Sequence, residues 1–158
     1  MSNKNHLEIE RKFLVDCQKW LLLDKPKSIK IIQGYISKNV RVRITDNKAM
    51  LTIKGKRKGI SRLEFEYVIP LEDAELLIKE FTKQQIFKKR FKIFYEDHLW
   101  EIDEFEGENE GLILAEVELE DKNEYFKKPS WVSEEVTYDK RYYNVYLAKK
   151  PYKMWDKR

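Results

Sequence analysis

A single cysteine, Cys17, means that no disulfide can form within this chain, and such sparing use of thiols fits a reducing compartment. No apolar run approaches the ~20 residues that carry a helix across a bilayer, so no membrane partner is expected. The opening residues, MSNKNHLEIE, lack the apolar core of a secretory signal, and the expectation is a soluble cytoplasmic protein. There is no internal repeat, no low-complexity segment and no long linker of Pro, Gly or Ser. One domain over residues 1–158 is therefore expected. Charge of one sign is scarce too: 32 lysines and arginines against 28 acidic residues leave a net +4. With no basic block or tail, the chain does not read as a dedicated binder of duplex nucleic acid.

What the chain does have is charge of both signs. Charged residues make up 38% of it, against roughly 25% in an average soluble protein. Hydrophobic residues still reach 42% and aromatics 13%, enough for a core. The two kinds alternate with a period of two. HLEIERKFLV (6–15) sets His6, Glu8, Glu10 and Lys12 opposite Leu7 and Ile9. The same pattern runs through NVRVRIT (39–45), MLTIKG (50–55), SRLEFEYVI (61–69), KRFKIFY (89–95), LWEIDEF (99–105) and LAEVELE (114–120), and more loosely through IKIIQGYIS (29–37). Short turns at 38–39, 46–47, 55–59 and 96–97 force antiparallel neighbours. LEDAELLIKEF (71–81), after Pro70, spaces Ala74, Leu77, Ile78 and Phe81 as a helical stripe. A short helix is expected at 16–23 and a third helix in the tail at 138–150.

For one strand alone, a charged face toward water is the ordinary reading. Taken together, however, the strands sort their charges. Arg41 and Arg43 share a sign, as do Glu8 with Glu10, Glu64 with Glu66, and Glu116 with Glu118. An antiparallel meander of about eight strands tends to curl and close. If the helices cover its apolar outside, the charges line a tunnel. Such a tunnel is costly unless it is wet or filled. A ligand carrying both signs suits it: phosphates for the basic residues, and a hard cation for the carboxylates. At about 4 Å and an effective dielectric near 20, one such contact is worth on the order of 4 kcal/mol before desolvation. An exposed ion pair contributes only about 0–1 kcal/mol.

These segments resemble the CYTH domain, the triphosphate tunnel metalloenzymes. EIERK (8–12) matches the family's ExExK signature, and RVRI (41–44), LTIKGK (51–56), RLEFEY (62–67), KKRFKIFY (88–95), WEIDEFEGENEGL (100–112), LAEVELE (114–120) and DKRYYN (139–144) follow in the family's order. The likeness runs from Leu7 to Trp155 and is nearest to the small single-domain bacterial members. It implies an α+β, mainly β fold: an eight-stranded antiparallel β-barrel tunnel with flanking helices. It also implies Mg²⁺ or Mn²⁺ as cofactor and a small-molecule triphosphate as partner. By position, Glu8, Glu10, Glu116 and Glu118 would hold metal. Lys12, Arg41, Arg43, Lys54 and Arg90 would cradle the triphosphate. Lys88 would sit near the scissile phosphate and help activate water, with Tyr35 close to it. Glu64, Glu66 and Asp103 would orient the basic residues or waters. Lys150 departs from the family's histidine near the end of the chain.

The expected activity is hydrolysis of inorganic tripolyphosphate to pyrophosphate and phosphate. The alternatives are a nucleoside or thiamine triphosphatase, an adenylate cyclase, and a non-catalytic polyphosphate or nucleotide sensor. The oligomeric state is open, a homodimer among the options. Carboxylate ligation favours Mg²⁺ or Mn²⁺ over zinc, which prefers Cys and His. Outside the tunnel, Cys17 reads as a small packed residue, His6 as exposed or at the tunnel mouth, and His98 as a solvated turn residue. KGKRKG (54–59) lacks phosphate-loop spacing and reads as a hairpin turn that could steer anions inward. Trp20, Phe65, Trp100, Tyr142 and Tyr143 are expected to pack between barrel and helices.

Overall fold

Alternation over six or more residues gives most barrel strands one apolar and one charged face, and the chain resolves the two by closing on itself. A computed structural model describes residues 6–156. In chain order the elements are β1 (Leu7–Val15), α1 (Cys17–Leu22), β2 (Ile29–Ser37), β3 (Val40–Thr45), β4 (Lys48–Lys54), β5 (Ser61–Ile69), α2 (Leu71–Phe81), β6 (Gln85–Tyr95), β7 (His98–Phe105), β8 (Ile113–Glu118), β9 (Val132–Glu135) and α3 (Asn144–Lys149). The sheet order is β5-β4-β3-β2-β6-β7-β8-β1, and β1 returns to β5 with Leu7 opposite Leu63 and Ile9 opposite Ser61. This is the expected closed antiparallel barrel of eight strands, mainly β with flanking helices. The ninth strand lies beside β1, past a register shift between Phe13 and Val15.

Turn chemistry sets the registers. Glu96 and Asp97 join β6 to β7 with φ of 44° and 65°, the twist that a two-residue hairpin needs. In β2, Gly34 lets α2 end against the barrel, because a Cβ there would lie 2.7 Å from Thr82 Oγ1.

The apolar faces point outward and are covered in patches. α2 starts after Pro70, carries Glu72 and Asp73 in its first turn and Lys79 in its last, as the helix dipole favours. Its Ala74 and Ile78 pack on Val42 and Ala49. On the opposite wall Trp20 of α1 joins Phe13, Phe91, Trp100, Val117 and Trp131. At one end of the barrel the inward positions turn apolar. Ile86, Phe105 and Leu114 meet Leu147 and Ala148 of α3, which closes that end.

Four expectations about elements change. The tail helix at 138–150 is shorter: a 3₁₀ turn at Lys140–Tyr142, an extended Tyr143, then the six residues of α3. Asp139 caps that turn by accepting from the Arg141 N–H, which holds the chain in a turn rather than a long helix. β6 begins at Gln85 rather than 89, since pairing with β2 extends to Gly34 opposite Gln85. β9 was not anticipated. Cys17 is exposed rather than packed, because Asp16 caps α1 and turns Trp20, not Cys17, into the core.

Candidate active site

The barrel encloses a cavity of about 390 Å³ whose wall is built mostly from the charged strand faces. β1 contributes Glu8, Glu10 and Lys12; β2, Tyr35; β3, Arg41 and Arg43; β4, Lys54. Glu64 and Glu66 come from β5, Lys88 and Arg90 from β6, and Glu116 and Glu118 from β8. Of the residues singled out in the sequence, only Asp103 lies behind the wall. It is 2% exposed and holds Arg90 with both oxygens, at 2.7 and 2.9 Å, and Lys88 at 2.8 Å. These contacts put it behind both basic groups, the position from which an orienting role was expected.

Many of these charges pair with one another. Lys12 lies 3.3 Å from Glu116. Lys54 bridges Glu8 at 3.4 Å and Glu64 at 3.1 Å, and Arg62 stands 3.6 Å from Glu8. Arg90 also reaches Glu101 at 3.1 Å. Burial works to raise Glu116, but Lys12 and Arg90 hold it well below the usual carboxylate range. Burial likewise works to raise Asp103, and Arg90 with Lys88 overrides it further still.

The unpaired groups are more informative. Arg41 donates to Thr52 Oγ1 at 3.2 Å, while its buried Nε has no partner. Arg43 donates through Nε to Gln33 Oε1 at 2.9 Å. Burial, then the neighbouring Arg41 and Arg90, pushes Arg43 down to about 9. Neither guanidinium has a carboxylate partner among the described residues. Opposite in sign, Glu10 and Glu118 face each other across the β1–β8 ladder. Burial, then Glu116 and Glu8, pushes Glu10 well above its ordinary value. Burial, then Glu8, Glu64, Glu101 and Glu66, pushes Glu118 up to about 7. Glu118 lies at the exposed end of its strand, so the surplus charge runs from the interior to the chamber's mouth, an arrangement that suits a ligand of both signs. The surplus oxygens are hard donors, which suits Mg²⁺ or Mn²⁺. Among the described residues no three acidic, His or Cys groups already converge as a metal cage.

Lys88 is 1% exposed and holds two acceptors, Asp103 at 2.8 Å and Asn144 Oδ1 at 2.8 Å. Burial pushes it down to about 7, with Asp103 opposing and Arg90 and Arg43 assisting. Tyr35 joins the same network through its hydroxyl, which accepts from Gln33 Nε2 at 3.0 Å.

Several cavity residues were not foreseen. Arg62 and Glu101 sit on the charged faces already read and were recoverable from alternation. Arg57, Tyr143 and Asn144 carry no such periodic signal, and the buried Gln33 lies just behind the wall on the inward parity of β2. Arg57, in the β4–β5 turn, lies with its guanidinium 4.9 Å from the Tyr143 ring centroid. Tyr143 therefore lines the cavity rather than packing behind it, whereas Tyr142 packs on Trp155. His6 leaves the Glu8 row: with φ of 52° its ring stacks on Phe65, 4.2 Å away on the barrel's outer face. His98 is not a solvated turn residue, since it opens β7 and lies 2.7 Å from Glu124. Lys150 is exposed, and its carbonyl accepts from the Trp155 indole.

Among the described residues, one closed barrel thus holds guanidiniums without a carboxylate partner and carboxylates without a basic partner in a single chamber. The CYTH domain profile matches residues 6–148. An inorganic triphosphatase from Acetivibrio thermocellus is 47% identical over 151 residues, covering 92% of this chain and 96% of that protein. One from Nitrosomonas europaea is 36% identical over 149 residues, covering 89% and 96%. Among solved structures, the crystal structure of an inorganic triphosphatase superposes with a TM-score of 0.63 at 32% identity, covering 89% of this chain and 97% of that one. The chain belongs to the CYTH domain family.

Proposed function

We propose that the chain is a divalent-metal-dependent inorganic triphosphatase that hydrolyses tripolyphosphate to pyrophosphate and orthophosphate inside the barrel. The observation that carries this reading is that, among the described residues, the Arg41 and Arg43 guanidiniums have no carboxylate partner and share one chamber with Glu10 and Glu118, whose carboxylates have no basic partner within ion-pair distance. The names of the relatives from Acetivibrio thermocellus and Nitrosomonas europaea point the same way.

Phosphoryl transfer rests on positioning and charge neutralisation more than on covalent chemistry. Arg41 and Arg43 offer forked donors that match phosphate oxygens. Arg90, held by Asp103, and Lys12, tied to Glu116, add fixed positive charge. Lys54 shares its charge with Glu8 and Glu64, so it serves the carboxylate cluster as much as the phosphates. Glu10 and Glu118, with Glu8 and Glu116 beside them, would hold a divalent cation, which would supply charge neutralisation to the phosphates when bound. Lys88, with a pKa of about 7, is neutral in a large fraction of molecules near neutrality and takes the proton of the attacking water. Tyr35 lies on the same hydrogen-bond chain and orients that water.

A nucleoside triphosphate is the second reading, because Ile29, Ile31 and Met50 form an apolar patch in the wall that a base could cover. Orthophosphate release from tripolyphosphate, ATP, thiamine triphosphate and pyrophosphate, each with Mg²⁺ and Mn²⁺, separates them. Tripolyphosphate is expected to have the highest kcat/KM. Equal or faster turnover of ATP overturns the inorganic substrate, and tight binding without turnover overturns the enzyme in favour of a polyphosphate sensor.

A further inference from the structure

The hydrogen-bond chain behind the cavity wall has only one consistent orientation. Arg43 has no acceptor, so the Gln33 atom that meets its Nε is Oε1. Gln33, fully buried, therefore presents Nε2 to its other neighbours and donates to Tyr35 Oη at 3.0 Å and to Asn144 Oδ1 at 3.1 Å. Because Gln33 donates there, the Asn144 atom facing it is the oxygen. The same oxygen accepts from Lys88 Nζ at 2.8 Å. Lys88 also donates to Asp103 at 2.8 Å.

A neutral amine has two N–H bonds and one lone pair. With both N–H bonds committed to acceptors, the direction of the lone pair is no longer free. We infer that Asn144, the first residue of α3, is a positioning residue for Lys88: it and Asp103 take the two N–H bonds and turn the lone pair toward the cavity. The inference rests on the reading of Lys88 as proton acceptor in the proposed function. It assigns the C-terminal segment a part in the chemistry as well as in closing the barrel. Lys12 Nζ donates to the Tyr142 carbonyl at 3.1 Å, so the segment grips the wall at two cationic points.

An amide suits this position better than a carboxylate. The charged groups bearing on Lys88 are Asp103 on β7, Arg90 on β6, Arg43 on β3 and Glu116 on β8. From α3 it meets the neutral Asn144 side chain, and the Phe105 ring centroid stands 5.5 Å away. Asp103 is shared with Arg90. A second carboxylate belonging to Lys88 alone would hold the amine protonated, and a protonated amine has no lone pair to offer.

The test is the pH profile of tripolyphosphate hydrolysis for wild type, Asn144→Asp and Asn144→Ala, with thermal midpoints recorded alongside. Asn144→Asp keeps the shape and adds charge. Its acidic limb in kcat/KM is expected to move upward by at least about one pH unit. Asn144→Ala is expected to lower kcat at least tenfold while KM stays within about twofold. An Asn144→Asp profile that superposes on wild type overturns the inference. So does an Asn144→Ala protein with raised KM and unchanged kcat, which would make the residue a substrate contact. A folded wild type that hydrolyses no triphosphate overturns the proposed function instead, so the two failures are distinguishable.

Discussion

Arg41 keeps a buried donor that nothing in the described protein satisfies, and it stands near the Arg43 guanidinium, which also feels Arg90. Such an arrangement is costly on its own and favours a bound anion. Replacing Arg41 by Ala is therefore expected to lower kcat/KM for tripolyphosphate by about a hundredfold, or about 2.7 kcal/mol. The thermal midpoint of the ligand-free protein should not fall, because an unsatisfied donor and like-charge repulsion go with the side chain. Steady-state kinetics and a melting curve on the same preparation check both. The cavity-facing charges were legible at this scale because each sits on an alternating strand: Glu8, Arg43 and Arg90 follow from parity. Gln33 shares the inward parity of Ile29, Ile31 and Tyr35, a strand face with no charge to mark it. Asn144 and Arg57 lie in segments without a period, and only the folded chain brings them to the wall.

Among the elements, α3 is the one whose role was least visible. Six residues give no measurable helical pattern, and its placement depends on Leu147 and Ala148 meeting Ile86, Phe105 and Leu114 from distant strands. Leu147 is fully buried, and Leu147→Ala is expected to cost about 3 kcal/mol of stability, read from the urea midpoint at unchanged m. An unchanged midpoint would show that α3 does not carry the end of the barrel. The long strands were legible because seven or more alternating residues allow little else. β9 is four residues long and is placed by its ladder to β1, which is non-local information. The α2 stripe was legible for Ala74, Leu77 and Ile78, since Pro70 and the apolar spacing act within the segment itself, whereas Phe81 at the helix end is exposed rather than packed.

For the molecule as a whole, charge sorting couples stability to pH. In the metal-free protein Glu8, Glu10 and Glu118 sit above the ordinary 4.5, Glu118 at about 7. The folded state then binds more protons than the unfolded one in that window, so stability falls as pH rises from 4.5 toward 7. Lys88 runs the other way. Its folded value of about 7 lies below the ordinary 10.5, so the unfolded state binds more protons and stability rises between them. The two trends predict a shallow trough near neutrality in a plot of metal-free thermal midpoint against pH, filled by Mg²⁺ with a triphosphate. A smooth maximum at neutral pH would contradict it. The closed barrel itself was readable as many short-turned antiparallel strands. Its unequal pairing was not, because which carboxylates find lysines and which stay alone depends on register.

The central claim is that the unpaired interior charges burden the fold and are retained for a metal-bound triphosphate. Glu10→Gln tests it most directly, with Mg²⁺-dependent tripolyphosphate turnover and the metal-free thermal midpoint measured at pH 8 on one preparation. The prediction is opposite movement: kcat/KM falls at least about a hundredfold, while the midpoint rises. Near-normal turnover, or activity and stability lost together, would contradict it.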